Sequence, residues 1–412
     1  MSTPASEYRE DTLPGQAPTP VRYPLSARRY LLTALRMSRP QPTADAASGS
    51  LTTARTRRMK RSARALLWWL PFWYVLAQAV VFAWMDESWP IPRIRVEHDK
   101  WQQFHARLAE APDRPLVLAL GSSRMDWAFQ AGRLNGQLGP DGRPLLCYNF
   151  GVPTAGPIHQ ALYVNDLLDE GIRPRLLLLE FVATHFNQSR RGIQSEEHFT
   201  MYHWLTAHQL LFFRPYLSNP RRATVAWLEA QLAPWYGYRW TIHGRFLGND
   251  GRPNPLDQVQ QPMDSWGWRL LADDVGTLDY RAWRYAGNNK MYGDSLRRFH
   301  LGAGPVQAMH DLLARCRREH IPVVLVDMPV TKTFTSLYSP EGRAELAGFL
   351  AELRHRYSVE VIDASDWLVQ EDFDDGFHVL KAGAYHFTTR MIDEVQKLLA
   401  RTLPPQEPPA TP

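Results

Sequence analysis

The chain runs to 412 residues and carries 47 Lys/Arg against 42 Asp/Glu, for a formal net charge of +5. That charge is unevenly placed: residues 1–64 hold twelve Lys/Arg and four Asp/Glu, or +8, which leaves −3 for the rest of the chain. The larger part is therefore mildly acidic, which excludes a nucleic-acid role carried by a basic surface, and the charge of the tail is explained by topology or by anionic lipid.

Residues 1–64 are enriched in Pro, Ser, Thr and Ala, a composition expected to remain disordered. From Ala65 to Met85 the chain is almost entirely apolar. At about 1.5 Å rise per residue, this run matches a bilayer core of about 30 Å and predicts one transmembrane helix. Trp68 and Trp69 at one end and Trp84 and Trp89 at the other stand where interfacial aromatics belong, with Pro71 in the early turns and Gln78 as a single polar residue. Arg55, Arg57, Arg58, Lys60, Arg61 and Arg64 precede the run, while Asp86 and Glu87 follow it. The positive-inside rule then leaves residues 1–64 in the cytoplasm and everything after residue 90 outside, in a single-pass inner-membrane protein. The rival reading is a signal peptide cleaved after Ala77-Gln78-Ala79; the long segment ahead of the apolar run speaks against it.

Beyond residue 95, short apolar runs at Leu116–Leu120, Leu145–Phe150, Leu176–Phe181, Val323–Asp327 and Val359–Asp363 read as strands. Helical periodicity fits Ile158–Glu170, Pro305–His320, Gly342–Tyr357 and Ala382–Leu399. Strands alternating with helices predict an α/β fold, a three-layer sandwich around a five-stranded parallel sheet, occupying residues 95–400. An aromatic-rich insertion at about 188–300, with Trp204, Phe212, Phe213, Trp227, Trp235, Tyr236, Tyr238, Trp240, Trp266 and Trp268, interrupts the alternation. It reads as a small helical subdomain with an aromatic core, or as a lid or wall suited to sugar rings and acyl chains. Residues 401–412, rich in proline, form a second tail expected to be disordered.

Two short segments carry the chemistry. The first strand ends at Gly121-Ser122-Ser123-Arg124, which holds a serine hydroxyl at the carboxyl edge of a parallel sheet, where open α/β folds bind ligands. Near the C-terminus, Asp375-Gly376-Phe377-His378 spaces a carboxylate three residues before an imidazole, so that Asp375 can accept the Nδ1 proton while Nε2 faces a serine. Alone, each also fits an ordinary turn. Together they read as a split triad of Ser123, His378 and Asp375. No metal site is indicated, since the histidines do not fall in ligand spacings, and Cys147 and Cys316 are equally compatible with two buried thiols or one disulfide.

These blocks resemble the SGNH (GDSL-like) hydrolase superfamily. Its first block is a strand running into Gly-x-Ser, as Leu116 to Ser123 does, and its last is Asp-x-x-His before a helix opening in small residues, as in Asp375 to Ala384. Ser122 stands where the superfamily usually has aspartate, which resembles the branch containing the D-alanyl-transfer proteins of teichoic acid operons. The resemblance implies an oxyanion hole from the Ser123 and Gly151 amides. Its third block usually adds an Asn side chain; the corresponding strand is followed by Val182-Ala183-Thr184-His185-Phe186-Asn187, and Asn187 is the candidate by proximity.

The expected function is a membrane-anchored, cofactor-free serine esterase or O-acyltransferase acting on an envelope or secreted polysaccharide, with a membrane-bound acyltransferase as a candidate partner. The alternative is a non-catalytic scaffold of the same fold that binds polysaccharide during envelope polymer assembly.

Overall fold

A computed structural model describes residues 92–188, 196–199, 202, 205–233, 235, 262–269 and 278–402, together with 59, 65–66, 68–81 and 83. Most of the N-terminal tail, the residues after 402 and the insertion segments 236–261 and 270–277 lie outside the described residues, and with them Trp204, Tyr236, Tyr238 and Trp240. The chain divides into two units, Met1–Phe72 and Trp73–Pro412, and the α/β fold lies in the second.

The first elements are α1 (Pro92–Glu110), β1 (Leu116–Gly121), α2 (Ser123–Ala128), β2 (Leu146–Gly151), α3 (Pro157–Asp169) and β3 (Leu176–Glu180). The insertion then contributes α4 (Glu196–Phe199), α5 (Ala207–Phe213), α6 (Pro220–Leu232) and α7 (Leu278–Arg297). The alternation resumes with α8 (Ala303–Arg318), β4 (Val323–Asp327), α9 (Lys332–Thr335), α10 (Pro340–Tyr357), β5 (Glu360–Asp363) and α11 (Lys381–Thr402). The strands β1, β3 and β4 are near-continuous Leu/Val runs because helices cover both faces of the sheet, so no face is left for polar alternation.

All five strands are parallel, in the order β2-β1-β3-β4-β5. On one face, Leu118, Leu120, Leu177, Leu179 and Leu325 pack with side chains from α3, α8 and α10; on the other, Val117, Ala119, Leu178, Val324 and Val326 pack with α2 and α11. Each large buried side chain among them contributes roughly 1.5–3 kcal/mol. Cys147 and Cys316 are free, buried and in opposite cores, so the disulfide alternative falls away.

Because β2 lies outside β1 and β3 on its other side, the winding reverses between β1 and β3, the place where open α/β sheets receive ligands. Gly121, Gly151, Glu180 and Asp327 all stand at the carboxyl ends of their strands along this edge.

Within the expected transmembrane run, residues 65–66, 68–81 and 83 are helical, and Leu67, Phe82, Trp84 and Met85 lie outside the described residues. Among the described residues, no helix is long and apolar enough to cross a membrane.

Candidate active site

The turn after β1 is built around Glu180. A Cβ on residue 121 would lie 2.5 Å from Glu180 Oε2 and 2.5 Å from Met125 Cβ, so the strand has to end in glycine. The Ser122 amide donates to Glu180 Oε2 at 2.6 Å, and its hydroxyl donates to Oε1 at 3.0 Å. Ser122 Oγ also accepts from the Arg124 amide at 3.2 Å, which makes Ser122 the N-cap of α2. Ser122 is thereby committed inward and Ser123 becomes the first residue of α2. The buried Arg124 side chain donates to the Met328 and Pro329 carbonyls at 2.8 and 3.3 Å and lies 3.6 Å from Glu180 Oε1, tying the turn to the end of β4.

The structure brings the three sequence-selected residues together. Ser123 Oγ lies 2.8 Å from His378 Nε2, and His378 Nδ1 lies 2.8 Å from Asp375 Oδ2. Asp375 Oδ1 accepts the His378 and Phe377 amides at 2.9 and 3.3 Å, so one carboxylate fixes both the ring and the loop that carries it. The loop reverses at Gly376, whose φ of +101° favours glycine, and both the amide and the hydroxyl of Thr331 donate to its carbonyl at 2.9 and 3.0 Å. The imidazole lies against Trp127 at 4.4 Å and Phe377 at 4.2 Å between ring centroids.

The insertion supplies a clamp from α7. Arg284 Nη2 lies 2.9 Å from Asp374 Oδ2 and 3.2 Å from Asp375 Oδ2, Asn288 donates to the Asp375 carbonyl at 3.0 Å, and Arg281 donates to the Phe373 carbonyl at 2.7 Å. Burial alone would raise the Asp375 carboxyl, but the His378 charge and hydrogen bonds, with Arg284, hold it well below the usual carboxylate range. Neighbouring Asp374 moves the other way: burial and the Asp375 charge raise it against the pull of Arg284. At the edge of β4, burial pushes Asp327 up to about 6 despite Arg124, with Asp363 and Glu180 adding to the rise.

Behind α2 sits a fully buried ionic knot. Lys100 donates to Asp126 Oδ1 at 2.7 Å and to the Asn149 and Gly267 carbonyls at 3.0 and 2.7 Å, while Arg269 Nε donates to Asp126 Oδ2 at 2.5 Å. Burial lowers the Lys100 ammonium to about 8 against the attraction of Asp126. Trp268 Nε1 donates to the Trp127 carbonyl at 2.8 Å, so the segment 262–269 of the insertion is fastened to the helix that opens with Ser123.

Of the expected oxyanion-hole groups, the Ser123 amide is the first of α2 and has no intrahelical acceptor by its position. The other two are engaged elsewhere. The Gly151 amide donates to Asn149 Oδ1 at 2.8 Å, and the buried Asn187 side chain donates to the Ser295 carbonyl at 3.1 Å. In the same β2–α3 loop Thr154 holds φ at +65°, a left-handed conformation that is costly for a β-branched residue. At the start of α3 the buried Glu196 accepts the Gly156, Ile158 and His159 amides at 3.0, 2.8 and 2.8 Å and pairs with the His159 ring, so the insertion's own carboxylate caps this helix. Among the described residues, no group of three or more His, Cys, Asp and Glu side chains is arranged to hold a metal ion.

Sequence reasoning missed Glu180, Arg124 and Arg284. Glu180 left a signal, a lone acid closing the run of four leucines in β3, and Arg124 directly follows the Gly-Ser-Ser turn. Arg284 left none, because its role depends on where the insertion returns to the sheet.

No family model and no curated protein matches the chain. Among solved structures, the chain is similar to a protein described as a platelet activating factor from Streptococcus pneumonia, at 9% identity and a TM-score of 0.34 over 78% of this chain and 99% of that one. It is also similar to AlinE4, an SGNH-hydrolase family esterase, at 13% identity and a TM-score of 0.28 over 70% of this chain and 97% of that one. A mutant form of the AlinE4 esterase gives 13% identity and a TM-score of 0.28 over 71% of this chain and 98% of that one.

Proposed function

We propose that the chain is a membrane-anchored serine esterase or O-acyltransferase whose nucleophile is Ser123. The observation that carries this reading is the unbroken relay from Ser123 Oγ through His378 to Asp375, with 2.8 Å at each link. Ser123 Oγ attacks an ester carbonyl while His378 Nε2 takes its proton; that proton then goes to the leaving alcohol, and the acyl group remains on Ser123. Water or a sugar hydroxyl next gives its proton to His378 and takes the acyl group, and the proton returns to Ser123. Asp375 stays ionised throughout and holds the imidazole in the productive tautomer. The Ser123 amide is the oxyanion donor this reading uses; Gly151 would have to leave Asn149 to join it, and Asn187 would have to leave Ser295.

The anchor is residues 65–85, with the catalytic domain outside the cytoplasm. In support, the charge asymmetry flanks the apolar run, and Trp73, Val75 and Val80 are exposed large apolar side chains. The polysaccharide assignment extends the resemblance of Gly121-Ser122-Ser123 to acyl-transfer proteins of the envelope, and the aromatic insertion beside the site suits sugar rings.

The test is covalent labelling of the full-length protein with a fluorophosphonate, alongside turnover of a model acetyl ester. The wild type is expected to label at Ser123 and to lose at least about ten-thousandfold in turnover on Ser123→Ala with thermal stability unchanged. Absence of labelling in folded protein that still binds polymer would favour the scaffold.

A further inference from the structure

Helix α6 (Pro220–Leu232) is turned against the usual logic of a surface helix. Its inner face packs normally: Ala223 and Ala230 are buried, and Trp227 donates its indole N–H to the Leu205 carbonyl at 2.8 Å. Its outer face should then be polar. Instead Val225, Leu228 and Leu232, at spacings of three and four that form one stripe, are 45%, 45% and 73% exposed. Trp235, just past the helix end, is also exposed, as are Arg221 and Arg222 in the first turn. An apolar stripe flanked by arginines at one end and a tryptophan at the other is the composition of a helix lying in a membrane interface.

The apolar run fixes the depth. The Trp235 amide donates to Gln78 Oε1 at 3.3 Å, which gives the polar residue of that run a partner from the outer domain. On the anchor reading, Gln78 lies seven residues in sequence before Met85, the outer end of the run, which at about 1.5 Å per residue would put it about 10 Å below that end. Interfacial helices bury their apolar faces about 5–10 Å into the boundary between headgroups and acyl chains. The exposed stripe therefore ends at the level where such a helix sits.

We infer that α6 lies in the outer leaflet surface with Val225, Leu228 and Leu232 in lipid and Arg221 and Arg222 against anionic headgroups, a second membrane contact beside the anchor. The inference rests on the anchor reading of residues 65–85. Its consequence is a fixed orientation of the Ser123 edge relative to the bilayer instead of a domain swinging on a tether.

The experiment uses full-length protein in nanodiscs of phosphatidylethanolamine and phosphatidylglycerol. Single cysteines at Leu228→Cys and Leu232→Cys carry an environment-sensitive fluorophore, and nitroxide lipids with the quencher shallow or deep in the acyl chain report its depth. Cys147 and Cys316 are buried thiols whose pKa is raised by burial, so they stay unlabelled. Val369→Cys, on an apolar side chain of the sheet domain whose exposure falls between those of Leu228 and Leu232, is the aqueous reference, and Val75→Cys reports the anchor. Expected are at least threefold stronger quenching at positions 228 and 232 than at 369, greater with the shallow nitroxide, and quenching by the deep nitroxide at 75. Quenching at 228 and 232 no stronger than at 369, with 75 still quenched, overturns the interfacial helix and leaves the anchor standing. No quenching at 75 overturns the anchor reading and this inference with it. A fluorophore at 228 that is shielded from water, unquenched by lipid and transfers energy between two labelled copies assigns the stripe to self-association and likewise overturns the lipid contact.

Discussion

Asp126 and Asp375 are both buried carboxylates, both held by cations, and both one step from the nucleophile, yet they are built for opposite ends. Asp126 is closed in by Lys100 and Arg269, and all three side chains are essentially fully buried. Nothing in that knot can exchange a partner without unpacking α1, α2 and the segment 262–269 together. Asp375 instead divides its oxygens between its own loop amides, Arg284 and an imidazole that remains partly exposed. Burying an ion pair repays its desolvation only when every partner is present, so the closed knot gives position, while the charges around Asp375 keep its carboxylate ionised beside the His378 ring. The contrast teaches that the Ser123 side of the site is fixed by a sealed ionic knot, while the His378 side is fixed by a clamp of loop amides, Thr331, Arg281, Arg284 and Asn288 around an imidazole that stays partly exposed.

The sharpest way to break the contrast is to change each carboxylate and ask which property fails. Asp375→Asn is expected to cost about ten-thousandfold in kcat, because the productive imidazole tautomer loses its acceptor, with a much smaller effect on stability. Measuring kcat on a model ester together with the melting temperature checks this; a collapse in stability with kcat retained in the folded fraction would make Asp375 a structural residue. Asp126→Ala should fail in the other direction. It leaves Lys100 and Arg269 buried without their counter-charge, an expected cost of about 3–5 kcal/mol in chemical denaturation. A loss below about 1 kcal/mol would show that the knot contributes little to fastening the insertion.

A third carboxylate sharpens the comparison because it has charge nearby and no closed set of partners. Asp327 is raised to about 6, by burial first, with Arg124 opposing. Its unfolded value is about 3.9, so the folded chain binds the extra proton between those two values, and the ionised group costs stability that is fully felt above about pH 6. Asp327→Asn is therefore expected to raise stability at pH 7.5 by about 1–2 kcal/mol and to change it little at about pH 4.5. Thermal melts at both pH values check the sign, and a destabilised variant at the higher pH would mean that Arg124 depends on this charge.

How far these differences could be read from sequence follows from the range of the contacts. The five strands have ends set within one residue; for β1, β3 and β4 this is because a parallel strand covered on both faces tolerates few polar residues before its carboxyl end, whereas the edge strand β5 is a Glu-Val-Ile-Asp segment with both acids exposed. Ser123 and the Asp375–His378 pair were legible because each is a local pattern: a glycine turn at a strand end, and a spacing of three on one loop. Arg284 and Asn288 were not, since they reach the loop from a helix some ninety residues upstream whose own sequence shows only an ordinary helical pattern. The oxyanion groups show the limit most clearly. Gly151 directly follows the expected strand, but its partner Asn149 lies two residues earlier within that strand, and nothing in a one-dimensional pattern says which way that side chain turns.

The smallest expected effect separates the two adjacent acids of the loop. Asp374 does not touch the His378 ring; it lies 2.9 Å from Arg284, its amide donates to the His378 carbonyl at 2.9 Å, and its carboxyl is raised by burial and by the Asp375 charge. Asp374→Asn keeps the shape and the backbone bond and removes one of the two charges that share Arg284. The guanidinium then answers to Asp375 alone and competes more strongly for Oδ2, the oxygen that holds His378 Nδ1. The expected result is a loss of less than about tenfold in kcat with KM unchanged, since one contact to the acid weakens while the triad stays assembled. Measured beside Asp375→Asn on the same ester, a larger loss for Asp374→Asn would move the acid of the relay to residue 374. An unchanged kcat would show that Arg284 is held by its packing on α7 and not by the balance between the two carboxylates.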